Sequence, residues 1–257
     1  MKPLNQHLAK ALSLLLLLSA CHNATDDQPD RSPKAVMPAA TAAPMRTSVL
    51  TATDQQALSP DKVIADLRNG NRNYQSNHPT PMNDTAMMRA TAKTQYPEAF
   101  ILSCMDSRVP VEKIFDKGIG DLFVGRVAGN IIDEDVLGSM EYGCKLAGAR
   151  LIVVLGHESC GAVKAAIEGE QLGNVTGLLA HIQPAIQLSH STQGAHDNGN
   201  PMFVTAVIRQ NVRNSIRDIK ARSPVLKELA EKGEIRIVGA YYSLHTGEVT
   251  FFDDDHR

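Results

Sequence analysis

The stretch ARLIVVLGHESCGAV, residues 149–163, decides how this chain folds. Residues 151–155 are an unbroken apolar run with no alternation, the pattern of a strand buried on both faces, and Gly156 follows where such a strand ends. A histidine and a cysteine three residues apart, His157 and Cys160, sit in the turn that follows. Three further runs have the same character: AFILSC (99–104), DLFVGRVA (121–128) and EIRIVGAYYS (234–243). Segments of helical period separate them. In 134–146, Val136, Met140 and Cys144 share one face, and in 202–219 so do Val204, Val207, Ile208, Val212, Ile216 and Ile219. Strands alternating with helices predict an α/β domain with a mainly parallel central β-sheet flanked by helices, and place function at the carboxyl ends of the strands.

The first helix is predicted to open at Ser59-Pro60, an N-cap followed by proline at the first helical position, with Val63, Ile64, Leu67 and Tyr74 at helical spacing. Upstream the character changes. MKPLNQHLAKALSLLLLLSAC places Lys2 and Lys10 before a short apolar run that is too short to span a bilayer and ends in small residues at Cys21. It reads as an export signal over 1–20, and Leu18-Ser19-Ala20-Cys21 resembles a bacterial lipobox, which makes Cys21 the expected lipidation site. Residues 21–57, rich in Pro, Ala, Thr and charge, lack a sustained apolar period and are expected to form a flexible tether. A coil of that length would reach about 30 Å from its anchor. The folded domain is expected over 58–257, in a protein that is exported, periplasmic and held to a bacterial membrane through its lipid.

Composition narrows the partners. The 257 residues carry a formal charge of −2, so there is no basic field for nucleic acid. Tryptophan is absent and aromatics make up only 4%, which argues against a base-stacking platform. A small-molecule substrate fits better.

Cys104 ends one predicted strand, while His157 and Cys160 follow another, so all three can meet at one sheet edge. Two thiolates and an imidazole suit zinc, and three protein ligands leave a fourth position open, as in catalytic sites. Cysteine is also a common buried apolar residue, and Cys144, on a helical face, is read that way. What distinguishes Cys104 is its surroundings, CMDSRVP (104–110), in which Asp106 and Arg108 can pair just as the strand opens into a loop.

These motifs resemble the β-class carbonic anhydrases, whose zinc site uses Cys-x-Asp-x-Arg and, about fifty residues later, His-x-x-Cys-Gly. The resemblance runs from about 58 to 252. It takes in Gln95-Tyr96-Pro97, Val109-Pro110, Phe123-Val124, Arg126, Ala128-Gly129-Asn130, Glu141-Tyr142, Gly156–Gly161, Asn211-Val212-Arg213 and His245-Thr246-Gly247. It implies that Cys104, His157 and Cys160 bind Zn2+ and that Asp106 and Arg108 form a catalytic dyad. Gln95, Phe123, Tyr142 and Gly161 would then serve the substrate, CO2 or bicarbonate. It also implies reversible CO2 hydration by zinc-bound hydroxide, Asp106 as a fourth zinc ligand in a closed resting state, and a homodimer or larger homo-oligomer. Two anionic ligands offset the charge of the dication, so the metal should be a weaker Lewis acid than in a three-histidine site. Family members inhibited by bicarbonate at a second site carry tryptophan three residues before the first zinc cysteine; Ile101 stands here, which argues against that regulation. A carbonyl sulfide or carbon disulfide hydrolase on the same site, or a non-catalytic zinc-binding or thiol-redox lipoprotein using Cys104 and Cys160, are the alternatives.

Overall fold

The computed structural model describes residues 44–252. The export signal, Cys21 and the tether up to residue 43 lie outside the described residues. Five strands form one sheet in the order β2-β1-β3-β4-β5, with β1 Ala99–Ser103, β2 Leu122–Arg126, β3 Leu151–His157, β4 Arg236–Tyr242 and β5 Val249–Phe251. The first four are parallel and β5 runs antiparallel to β4. The four strands predicted from apolar runs are all present. The three-residue β5 was not predicted; it is too short for its alternation to register, and it folds back through a turn in which Gly247 takes φ +74°.

Strand residues alternate between two cores. Ile101, Val153 and Leu155 join the cluster formed with α2 (Pro60–Gln75) and α4 (Val111–Ile114). Phe100, Leu102, Ile152 and Val154 join the cluster on the opposite face, with α5 (Glu134–Glu141), α9 (Pro201–Arg222) and α10 (Pro224–Glu231). Both faces are covered, which is why these strands read as continuous apolar runs. Ile101 is fully buried, and truncating such a side chain to Ala would cost about 2–5 kcal/mol. Its position is therefore core.

Helix α2 begins as its sequence dictates: Ser59 caps it by accepting from the Lys62 N–H at 3.2 Å, and Pro60 opens the first turn. Its Gly70 lets the backbone of Phe115 approach, since a Cβ there would lie 1.8 Å from the Phe115 carbonyl oxygen. The helix predicted over 134–146 is α5 followed by a π-helical turn, Tyr142–Leu146, closed by the Ala147 N–H on the Tyr142 carbonyl at 3.0 Å.

One boundary differs from the sequence expectation. Residues 44–57 were assigned to the tether, yet they belong to the domain. Arg46 pairs backbone with Met82 and grips buried Asp121 with both terminal nitrogens at 2.7 Å. A one-and-a-half-turn helix, α1 (Ala52–Ala57), is capped by Thr51 and buries Gln55, whose Nε2 donates to the carbonyls of Pro97 and Ala147, each at 2.8 Å. Polar side chains hold this segment to partners far along the chain, so no apolar period betrays it.

Candidate metal centre

The three predicted ligands converge. Cys104 follows β1, His157 is the last residue of the neighbouring β3, and Cys160 is the N-cap of α6 (Gly161–Glu168). Their ligand atoms all lie within 4.8 Å of one another, and all three residues are buried. The chemistry of the set fits zinc. The His157 Nδ1–H donates to the Glu158 carbonyl at 2.9 Å, which leaves the lone pair on Nε2. That atom is buried and has no hydrogen-bond partner, an orphan that a cation would satisfy.

The thiols titrate as a pair. Cys104 is drawn down to about 4, first by the hydrogen bond from Cys160 and, against the opposing effect of burial, by the Gly129 and Asp106 amides. Cys160 is pushed up, first by that same bond to Cys104 and then by burial. Binding a dication would hold both sulfurs as thiolates and release any proton they carry. Cys144 contrasts with them, since burial alone pushes its thiol up to about 12, in keeping with a core role. Cys104, Cys144 and Cys160 are all free.

Asp106 and Arg108 stand at the rim. The Arg108 backbone N–H and Nε each donate to Asp106 Oδ1 at 2.9 Å, and Nη2 donates to Oδ2 at 2.7 Å. This grip holds the Asp106 carboxyl down at about 2. Oδ2 is 3.9 Å from His157 Nε2, within reach of the metal position, yet both carboxylate oxygens belong to Arg108 in this structure. Arg126, at the end of β2, fixes the loop by donating to the carbonyls of Cys104 at 3.0 Å and Asp106 at 2.5 Å. The space beside Gly161 is open, with no atom within 4 Å of where a Cβ would lie.

The expected pocket residues divide. Gly161 adjoins Cys160, but Gln95 precedes β1 and Cys104 follows it, so the length of that strand, about 17 Å, runs between them. Phe123 and Tyr142 meet edge to face, centroids 6.4 Å apart, in a cavity of about 580 Å3 shared with Phe100, Glu134 and Gly138. None of the three ligands lines that cavity, so the chain does not bring Gln95, Phe123 and Tyr142 to its own metal centre. A larger cavity, about 850 Å3, is lined by Tyr74, Asp116 and Leu122 among others and likewise holds no ligand residue.

Sequence reasoning missed what holds the ligands. The Glu158 carboxylate caps the β4–β5 turn, accepting from Ser243 Oγ at 3.0 Å, the Leu244 and His245 amides at 2.9 and 3.2 Å, and His245 Nδ1 at 2.6 Å. These partners lie more than eighty residues apart, so no local spacing marks them.

A mainly parallel sheet with a buried Cys-His-Cys cluster at its edge, beside an ion-paired aspartate, defines a class of α/β protein suited to metal-dependent chemistry. The model of the family described as "Carbonic anhydrase" matches residues 99–249. Carbonic anhydrase 2 of Mycobacterium tuberculosis is 36% identical over 193 residues, 73% of this chain and 90% of that one. The solved β-carbonic anhydrase CcaA superposes with a TM-score of 0.59 at 25% identity, covering 75% of this chain and 94% of that one. A β-carbonic anhydrase structure from Sordaria macrospora has a TM-score of 0.58 at 22% identity, covering 78% and 97%, and bears on the fold alone. The chain belongs to the carbonic anhydrase family, in its β class, whose members are zinc lyases acting on CO2.

Proposed function

We propose that this chain catalyses the reversible hydration of CO2 to bicarbonate and a proton at the Cys104–His157–Cys160 centre, with Asp106 and Arg108 as its catalytic dyad. The observation that carries the reading is the orphaned, buried His157 Nε2 among two thiols, with an ionised carboxylate 3.9 Å away. Cys104, His157 and Cys160 would hold zinc, which would supply a Lewis-acidic centre able to lower the pKa of water toward neutrality. Asp106, kept ionised by Arg108, can only accept hydrogen bonds; it would accept one from the O–H of the nucleophile and so leave a lone pair directed at carbon. The Gly161 amide, which adjoins Cys160 and has open space beside it, would steady a substrate oxygen. Releasing Asp106 from Arg108 would let it compete for the metal position, the closed state. The comparisons lend no support to carbonyl sulfide or carbon disulfide hydrolysis or to a thiol-redox role. Stopped-flow CO2 hydration, with and without a zinc chelator, tests the reading: chelator-sensitive turnover is expected, and a zinc-loaded protein without turnover would refute it.

The working form is a homodimer or larger homo-oligomer in which Gln95, Phe123 and Tyr142 serve a neighbour's site. Their separation from the metal centre of their own chain supports this, as does the position of Phe123 on β2, an edge strand, beside a Tyr142 that is 57% exposed. The Sordaria macrospora enzymes are described as tetrameric. We further propose, from the lipobox resemblance alone, export to the periplasm and a lipid anchor at Cys21; detergent partitioning that Cys21→Ser leaves unchanged would refute the anchor. Among the described residues no helix is long and apolar enough to cross a membrane.

A further inference from the structure

The turn Ala128–Asn130, which follows β2, lies against the metal centre. Its Gly129 N–H points at Cys104 Sγ, 3.4 Å away, the longer reach expected of a bond to sulfur. Gly129 takes φ +69°, and a Cβ there would stand 2.8 Å from Ile182 Cδ1, so both the backbone conformation and the space restrict the position to glycine. Asn130 also has positive φ, +42°. A turn in this conformation persists only when its surroundings hold it. The hold comes from one face of α9. Asn211, 3% exposed, donates Nδ2–H to the Gly129 carbonyl at 2.8 Å, and Ser215, one turn on and 3% exposed, donates to the Asn130 carbonyl at 3.3 Å.

We propose that Asn211 is a positioning residue for the zinc centre: it pins Gly129 from α9 so that the Gly129 amide stays bonded to the Cys104 sulfur. An N–H donor on a metal thiolate draws charge from the sulfur, so less is given to the metal and the metal is the stronger Lewis acid. In a centre where two thiolates already offset the charge of the dication, one such donor moves the balance toward acidity. Asn211 touches neither metal nor substrate. Its effect runs through a main-chain amide more than eighty residues away in sequence.

The inference rests on the zinc reading above, and one experiment separates the two. Cobalt(II) replaces zinc in the full chain, and the thiolate-to-cobalt charge-transfer band is compared in the unaltered protein, Asn211→Leu and Ser215→Ala. Metal content, far-UV circular dichroism and the kcat and KM of CO2 hydration are measured alongside. Loss of the N–H donor raises the energy of the sulfur electrons, so the band should move to longer wavelength in Asn211→Leu and less far in Ser215→Ala. Secondary structure should be kept, with kcat falling about tenfold at little change in KM. A band that does not move in a folded Asn211→Leu protein overturns the proposal and leaves the zinc reading standing. If Asn211→Leu does not fold, Ser215→Ala decides in the same way. An unaltered protein without any thiolate-to-cobalt band overturns both.

Discussion

Arg108 closes on both oxygens of Asp106, through Nε at 2.9 Å and Nη2 at 2.7 Å, while the unpartnered Nε2 of His157 stands 3.9 Å from the same carboxylate. The guanidinium and the metal position are thus rivals for one side chain. Arg108→Ala should retain zinc but lower CO2 hydration about 10- to 100-fold, because the released carboxylate turns to the metal. Elemental analysis together with stopped-flow assays checks this, and unchanged activity with full zinc would remove the dyad from the mechanism.

The same pair sets an acid limit. Arg108 is the first cause holding the Asp106 carboxyl at about 2, below its unfolded value, so the favourable ionised state is fully present above about pH 4 and is lost only as pH falls through about 2. Asp106 should stay charged across the whole working range. Fourier-transform infrared titration of the carboxylates should find a group that ionises near 2 in the unaltered protein and is missing in Asp106→Asn.

Cys160→Ser should bring zinc well below one per chain, since the metal loses one of two thiolates and a serine hydroxyl stays protonated at neutral pH. Equilibrium dialysis followed by elemental analysis reads the result directly. A variant that held zinc as tightly as the unaltered protein would take Cys160 out of the ligand set.

Glu158 offers a pH test away from activity. Its carboxyl is lowered, first by the hydrogen bond from His245 and then by Ser243 and the His245 amide. A depressed carboxyl stabilises the fold above its unfolded value, about 4.3, and that stability disappears as pH falls through the lower folded value. Thermal midpoints of the unaltered protein and Glu158→Gln should therefore differ most near neutrality and converge as acid protonates the carboxyl in the folded protein.

Arg46 tests where the domain begins. The Asp121 side chain is 3% exposed, so Arg46→Ala would leave a buried carboxylate that keeps the Gly118 amide but loses its guanidinium partner. The expected cost is about 3 kcal/mol, the low end for breaking a buried pair, because Arg46 itself is 27% exposed. Denaturant unfolding measures it; a loss under half that size would mean that residues 44–57 are not integral to the domain.

What the sequence determined by itself was whatever depends on neighbours along the chain. Residues 151–155 announced a doubly buried strand because both faces of β3 are covered, and Ser59-Pro60 announced a helix start because capping is local. The metal ligands were legible too, since parallel strands bring their carboxyl ends to one edge, where His157 ends β3 and Cys104 and Cys160 follow β1 and β3. Tertiary structure alone decided the rest. The attachment of residues 44–57 rests on Arg46–Asp121 and on Gln55, contacts that polar side chains make across 42 to 92 residues without leaving a periodic trace. The separation of Gln95, Phe123 and Tyr142 from their own metal centre follows from which end of a strand, and which edge of the sheet, each occupies. A linear motif cannot carry that information, because proximity there is set by the packing of the sheet and its helices.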